Sequence, residues 1–278
     1  MVAIIPANEV AKPTEEFPLR YGIFQAAIGP LDFPDVHMRG GGLWWQEAMC
    51  GGGSGYEINC IDALADKAFT GAGTGIVTAV PFVVKSDFTC APTEISRMEA
   101  LARQKFFSVE QSLVEQIFSE GLFAQAPSLS NNPAVVDLSA AAPAAEGVGV
   151  ISALEDWIYC TQQYGPRAVL HMPTAIGNFL KSEHMIDFDG MRWRTPHGTA
   201  VSFGCYSGLD PDGVAPAAGT FWVYVTGQTA VYRAGDFEQP PVEGSLDRTT
   251  NQWTGLVERE YVVAFECGVA AAPITLWV

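Results

Sequence analysis

The sequence predicts an α+β protein, with helices concentrated before residue 182 and strands after it. Two observations carry this. Residues 94–120 run without Gly or Pro, and Ile95, Met98, Leu101/Ala102, Phe106, Val109, Leu113 and Ile117 recur at steps of three and four. From residue 190 onward the chain breaks into short β-branched and aromatic runs, several separated by glycine-containing turns.

In order along the chain, residues 1–50 read as an extended arm. Prolines at 6, 13, 18, 30 and 34 forbid a long helix there, while Phe17, Phe24, Phe33, Trp44 and Trp45 argue against disorder. Residues 40–90 read as a long, partly β loop. It is glycine-rich at 51–55 and 71–75, and its strand-like runs are Ile76–Val80 and Phe82–Val84. The helix that follows takes Thr93 as N-cap and Gly121 as terminator. Phe107, Val114 and Phe118 widen its apolar stripe, and Glu110 and Glu115 fall between the stripe positions.

Residues 124–147 read as an irregular crossing. Ile151–Ile158 opens a second helix, ended by Gly165-Pro166. Arg167–Met172 is strand-like and closed by Pro173, and Thr174–Lys181 is a short helix that Thr174 can cap. The predicted later strands are Met191–Arg194, Ala200–Gly204, Thr220–Thr226, Thr229–Arg233, Val257–Phe265 and Ile274–Val278.

Composition excludes several classes of function. The 278 residues carry 15 basic and 31 acidic side chains, a net charge of −16. No basic cluster is present to neutralise phosphates, so tight nucleic-acid binding is not expected. No apolar run is long enough to span a bilayer, and Met1–Pro6 lacks the basic and apolar regions of a secretory signal. Cysteines 50, 60, 90, 160, 205 and 267 form no C-x-x-C pair, and read as reduced, mostly buried thiols in a cytosolic protein.

Catalytic signatures are missing too. His37, His171, His184 and His197 match no ligand pattern and read as turn or strand-end residues. Gly51–Gly55 lacks the Lys-Ser/Thr of a phosphate loop. Asp210-Pro-Asp212-Gly213 lacks the closing Glu of a calcium loop and reads as an acidic turn. The sequence therefore assigns no catalytic, cofactor-binding or metal-binding residue and no cofactor. Trp44-Trp45 and Phe106-Phe107 read as buried anchors or, in an assembly, as contacts between subunits.

Four stretches carry a family resemblance: Val80-Pro-Phe-Val-Val84 leading to Cys90 and the long helix; Ala168-Val-Leu-His-Met-Pro173; Arg194-Thr-Pro-His-Gly-Thr-Ala-Val201; and Leu246-Asp-Arg-Thr-Thr-Asn251 followed by Val257–Val263. With the element order, they resemble the Hong Kong 97-type fold of tailed-bacteriophage major capsid proteins, shared with encapsulins, and look actinobacterial-phage-like. The resemblance implies an N-terminal arm (1–50), an extended loop (51–91), a peripheral domain on the long spine helix (92–145 and 235–264) and an axial domain (146–234 and 265–278).

It also implies a non-enzymatic subunit that self-assembles in pentamers and hexamers of an icosahedral head shell. That shell would enclose double-stranded DNA without binding it tightly or specifically. Its place would be the virion, after assembly in the host cytoplasm, with decoration, scaffolding and portal proteins as further partners. No long charged helical region precedes the arm, which points to separate scaffolding or none. Some shells of this fold join subunits by a Lys–Asn isopeptide bond, for which Lys67 is the one tempting loop donor. Alternatives are a minor or pentamer-specific head protein, an encapsulin-type compartment shell and, in another class, a tail-tube or adhesin protein, which the long helix disfavours.

Overall fold

The structure, a computed structural model, describes residues 21–33, 42–46, 50, 76–90, 95–141, 147–164, 167–234, 246–247, 249 and 252–276. The glycine clusters at 51–55 and 71–75, His37, Lys67, Thr93 and Gly165-Pro166 lie outside the described residues. The helices are α1 (Ile23–Ala26), α2 (Ile95–Glu120), α3 (Gly147–Asp156), which widens through Trp157–Thr161, and α4 (Thr174–Ser182). The strands of the first half are β1 (Ile28–Phe33), β2 (Leu43–Gln46), β3 (Ile76–Ala79), β4 (Phe82–Cys90) and β5 (Val135–Asp137). Those of the second half are β6 (Val169–Pro173), β7 (Asp187–Phe188), β8 (Trp193–Arg194), β9 (Ala200–Gly204), β10 (Thr220–Thr226), β11 (Thr229–Ala234), β12 (Leu246–Asp247), β13 (Gln252–Phe265) and β14 (Val269–Thr275).

One sheet has the order β5-β14-β10-β6-β9-β8-β7. Its strands alternate between two cores. Leu170, Met172, Val201, Phe203, Val223 and Val225 face α3 and α4, and Tyr224, Val269 and Ala271 join the core around α2. The other sheet has the order β1-β11-β13-β12, and β4 pairs with β13 over Trp253–Tyr261. The strand-like runs at 76–84 thus include a strand that packs Phe82 and Val84 against α2. A small β2–β3 ribbon lies beside these sheets.

Helix α2 has 26 residues, about 39 Å at 1.5 Å per residue. Gly121 stops it at φ 67. Its buried stripe is Ala102, Phe106, Glu110, Val114, Ile117 and Phe118, whereas Val109 and Leu113 are half-buried and Phe107 is exposed. All the apolar residues of that buried face lie on the predicted broad stripe, but its centre shifts away from Val109 and Leu113 because Glu110 and Glu115 point inward instead of to solvent.

Three other expectations change. Thr174 does not cap α4; its hydroxyl donates to the Gly204 carbonyl at 3.1 Å, and Pro173 holds the cap position. The last strand is Val269–Thr275, well ahead of the predicted Ile274–Val278. Cys50 and Cys267 are not reduced thiols but a disulfide with Cα atoms 5.2 Å apart, and free Cys160 and Cys205 are exposed. The bond joins residues 217 apart, so spacing along the chain gave no hint of it.

Residues 21–33, the described part of the N-terminal stretch, lie on the chain's own body. Ile23 is fully buried in the α2 core and β1 pairs in parallel with β11.

Candidate functional site

Buried polar clamps hold the layers together, and exposed apolar side chains mark where another surface can bind. Glu115 on α2 is fully buried. Its Oε1 accepts from the Ile23 amide and Gln111 Nε2, and its Oε2 from the Cys205 amide, each at 2.9 Å. Burial pushes its carboxyl above the ordinary range, and the three donors pull against that. The clamp needs glycine on both sides. A Cβ on Gly22 would stand 1.4 Å from Gln111 Nε2, and one on Gly204 would stand 2.2 Å from Glu115 Oε2.

On the same helix, Glu110 accepts from Arg259 at 2.9 Å and from the Tyr261 hydroxyl, tying α2 to β13. On α3, Glu155 accepts from Thr195 at 2.5 Å and Thr199 at 2.6 Å, and pairs with His197 at 2.8 Å. That carboxylate raises the pKa of the exposed His197 imidazole.

The histidines divide. His184 and His197 lie in turns, as predicted. His171 does not: it sits within β6, fully buried, beside Tyr206 at 3.2 Å, Thr226 at 3.0 Å and Thr229 at 3.3 Å. Burial lowers its pKa to about 3, so it is neutral. A histidine amid apolar strand residues is the only sequence signal this network gives. Asp210 makes the predicted acidic turn, with its Oδ1 accepting the Val214 amide at 2.7 Å. Cys50, Glu266 and Cys267 place ligand-type atoms within 4.8 Å of one another, but the disulfide takes both sulfurs and leaves one carboxylate.

Among the described residues, Trp44, Phe123 and Met191 are the most exposed large apolar side chains. Trp44 is 70% exposed on the ribbon and Phe123 is 76% exposed just beyond the end of α2. Trp44 is thus not a buried anchor. Register explains it: Leu43 and Ala79 pair on the ribbon face that meets β13, and Trp44 and Thr78 pair on the other. Phe188 and Met191 are exposed on a hairpin braced by the ion pairs Lys181–Asp187 and Arg194–Asp189. Single exposed apolar residues are ordinary, but a Trp, a Phe and a Met exposed by 70% or more are not. No described helix is long and apolar enough to cross a membrane.

No protein-family model matches the sequence, and no curated protein matches it significantly. Solved structures do. The chain is similar to the capsid of a native GTA particle, at 9% identity and a TM-score of 0.55 over 99% of this chain and 96% of that one. It is also similar to the capsid of an empty GTA particle, at 12% identity and 0.52 over the same shares. The chain has the phage capsid fold. A structure of Mycobacterium phage Ogopogo is similar too, at 13% identity and 0.50 over 98% of this chain and 97% of that one. At these identities the likeness is one of fold and not of particular side chains.

Proposed function

We propose that the chain is a major capsid protein, a structural subunit that assembles with itself into pentamers and hexamers of an icosahedral phage head. The observation that carries this is the span of the likeness: 99% of this chain corresponds to 96% of a capsid chain, so the likeness is to a whole capsid subunit and not to one part of it. Exposed Trp44, Phe123 and Met191 support it, since a shell subunit hides such groups against its neighbours.

In this reading residues 1–50 are the N-terminal arm, its root docked through Ile23 and β1, and 51–91 are the extended loop. Residues 92–145 and 235–264 are the peripheral domain, and 146–234 and 265–278 the axial domain. The shell encloses double-stranded DNA without gripping it, in line with a net charge of −16. It belongs in the virion and forms in the host cytoplasm, where scaffolding, decoration and portal proteins are its further partners.

Sedimentation velocity of the purified chain tests this. The expected result is a fast boundary from closed assemblies on the order of tens of subunits or more. A stable folded monomer at every concentration contradicts it.

A further inference from the structure

Phe123 stands on a strained turn that brings its own chain little burial. Its backbone is left-handed, at φ 56 and ψ 32, and that of Ala124 follows at φ 60. A bulky residue keeps that conformation only where its surroundings fix it.

Here they do. Gly121 closes the last helical bond of α2, and the returning segment takes the three carbonyls beyond it. Ile117 O accepts from Gly121 N at 2.9 Å, and Phe118 O from Leu129 N at 3.1 Å. Ser119 O accepts from Ser130 N at 2.8 Å and from Ser130 Oγ at 2.7 Å, and Glu120 O from Asn131 Nδ2 at 3.0 Å. Buried Gln125 then donates to Val263 O at 3.0 Å. The frame is rigid, yet the Phe123 ring is 76% exposed. For folding alone, glycine would suit this position better.

The surroundings also say what meets the ring. No ionisable residue occurs between Glu120 and Asp137, or between Lys67 and Lys85. The Val80 amide donates to Ala126 O at 2.8 Å, so these two uncharged stretches meet three residues along the chain from Phe123, and Val80 is itself exposed. Two copies that each carry a net charge of −16 repel, and their contacts belong where charge is absent.

We infer that Phe123, set in this uncharged stretch, is a fixed knob that docks on an apolar surface of a second copy of this chain. The inference rests on the shell reading and adds the residue through which subunits meet.

The test compares wild type, Phe123→Gly and Phe123→Leu by sedimentation and thermal unfolding of the dissociated subunit. Glycine removes the ring and relieves the left-handed strain. The subunit should unfold at the same or a higher temperature, while the assembled fraction falls about tenfold or more at fixed concentration. Leucine should keep most of the assembly. Wild type and Phe123→Gly assembling alike overturns this contact and leaves the shell reading standing. Wild type that stays monomeric overturns both.

Discussion

Glu110 and Arg259 are each largely closed off from water and meet at 2.9 Å between α2 and β13. Removing one leaves the other buried without that counter-ion. Glu110→Ala should cost about 3 kcal/mol in subunit unfolding, whereas Glu110→Leu with Arg259→Met together should cost less. Denaturant titration of both variants checks this, and equal losses would contradict it. His171 sets a pH dependence. Its pKa falls from 6.5 in the unfolded chain to about 3 in the fold, so between these values only the unfolded chain takes up the proton. Its contribution is complete above pH 6.5 and is lost towards pH 3, at about 1.4 kcal/mol per pH unit. Glu115 works the other way: its raised pKa lets the folded chain bind a proton first as pH falls, which offsets part of that loss. His171→Gln should flatten the acid limb, measured as a smaller stability difference between pH 7 and pH 5. An unchanged limb would mean that another group sets it.

At the scale of elements, α2 and the apolar part of its inward face were legible in the sequence, and its buried glutamates were not. Periodicity located Ile95–Glu120 because apolar residues repeat every three or four positions, but two glutamates belong to the core and no periodicity rule puts them there. Val114 is fully buried and Val109 only partly. Val114→Asp should therefore prevent soluble folding, while Val109→Asp should cost about 1–2 kcal/mol and still fold. Soluble expression and circular dichroism separate them, and the reverse order would put the buried face back where periodicity alone places it. Strand β14 was missed for a related reason. Val269-Ala-Ala-Ala-Pro273 has low β-propensity, yet Ala270, Ala271 and Ala272 are fully buried in the sheet, where only small side chains fit. Pro273 is tolerated because β5 pairs only with residues 269–271 and makes no ladder bond at 273. Thr220–Thr226 was read to the residue, since β-branched and aromatic side chains fill it from end to end.

For the whole molecule, charge and apolar surface oppose each other. Copies at −16 repel, and salt screens that repulsion while leaving apolar contacts in place. Assembly should therefore need a lower subunit concentration at about 0.5 M salt than at about 0.05 M, as light scattering would show; the opposite trend would mean that ion pairs dominate the contacts. The order of the long helix and the later strands was legible early because each has its own composition. The clamps at Glu115, Glu155 and His171 were not, since their partners come from distant parts of the chain. Electron cryo-microscopy of the assembled protein tests the central claim most directly. The account predicts closed shells with five-fold vertices, each subunit showing one helix of about 39 Å and Phe123 covered by a neighbour. Open tubes, or particles in which this chain stays a separate monomer, would contradict it.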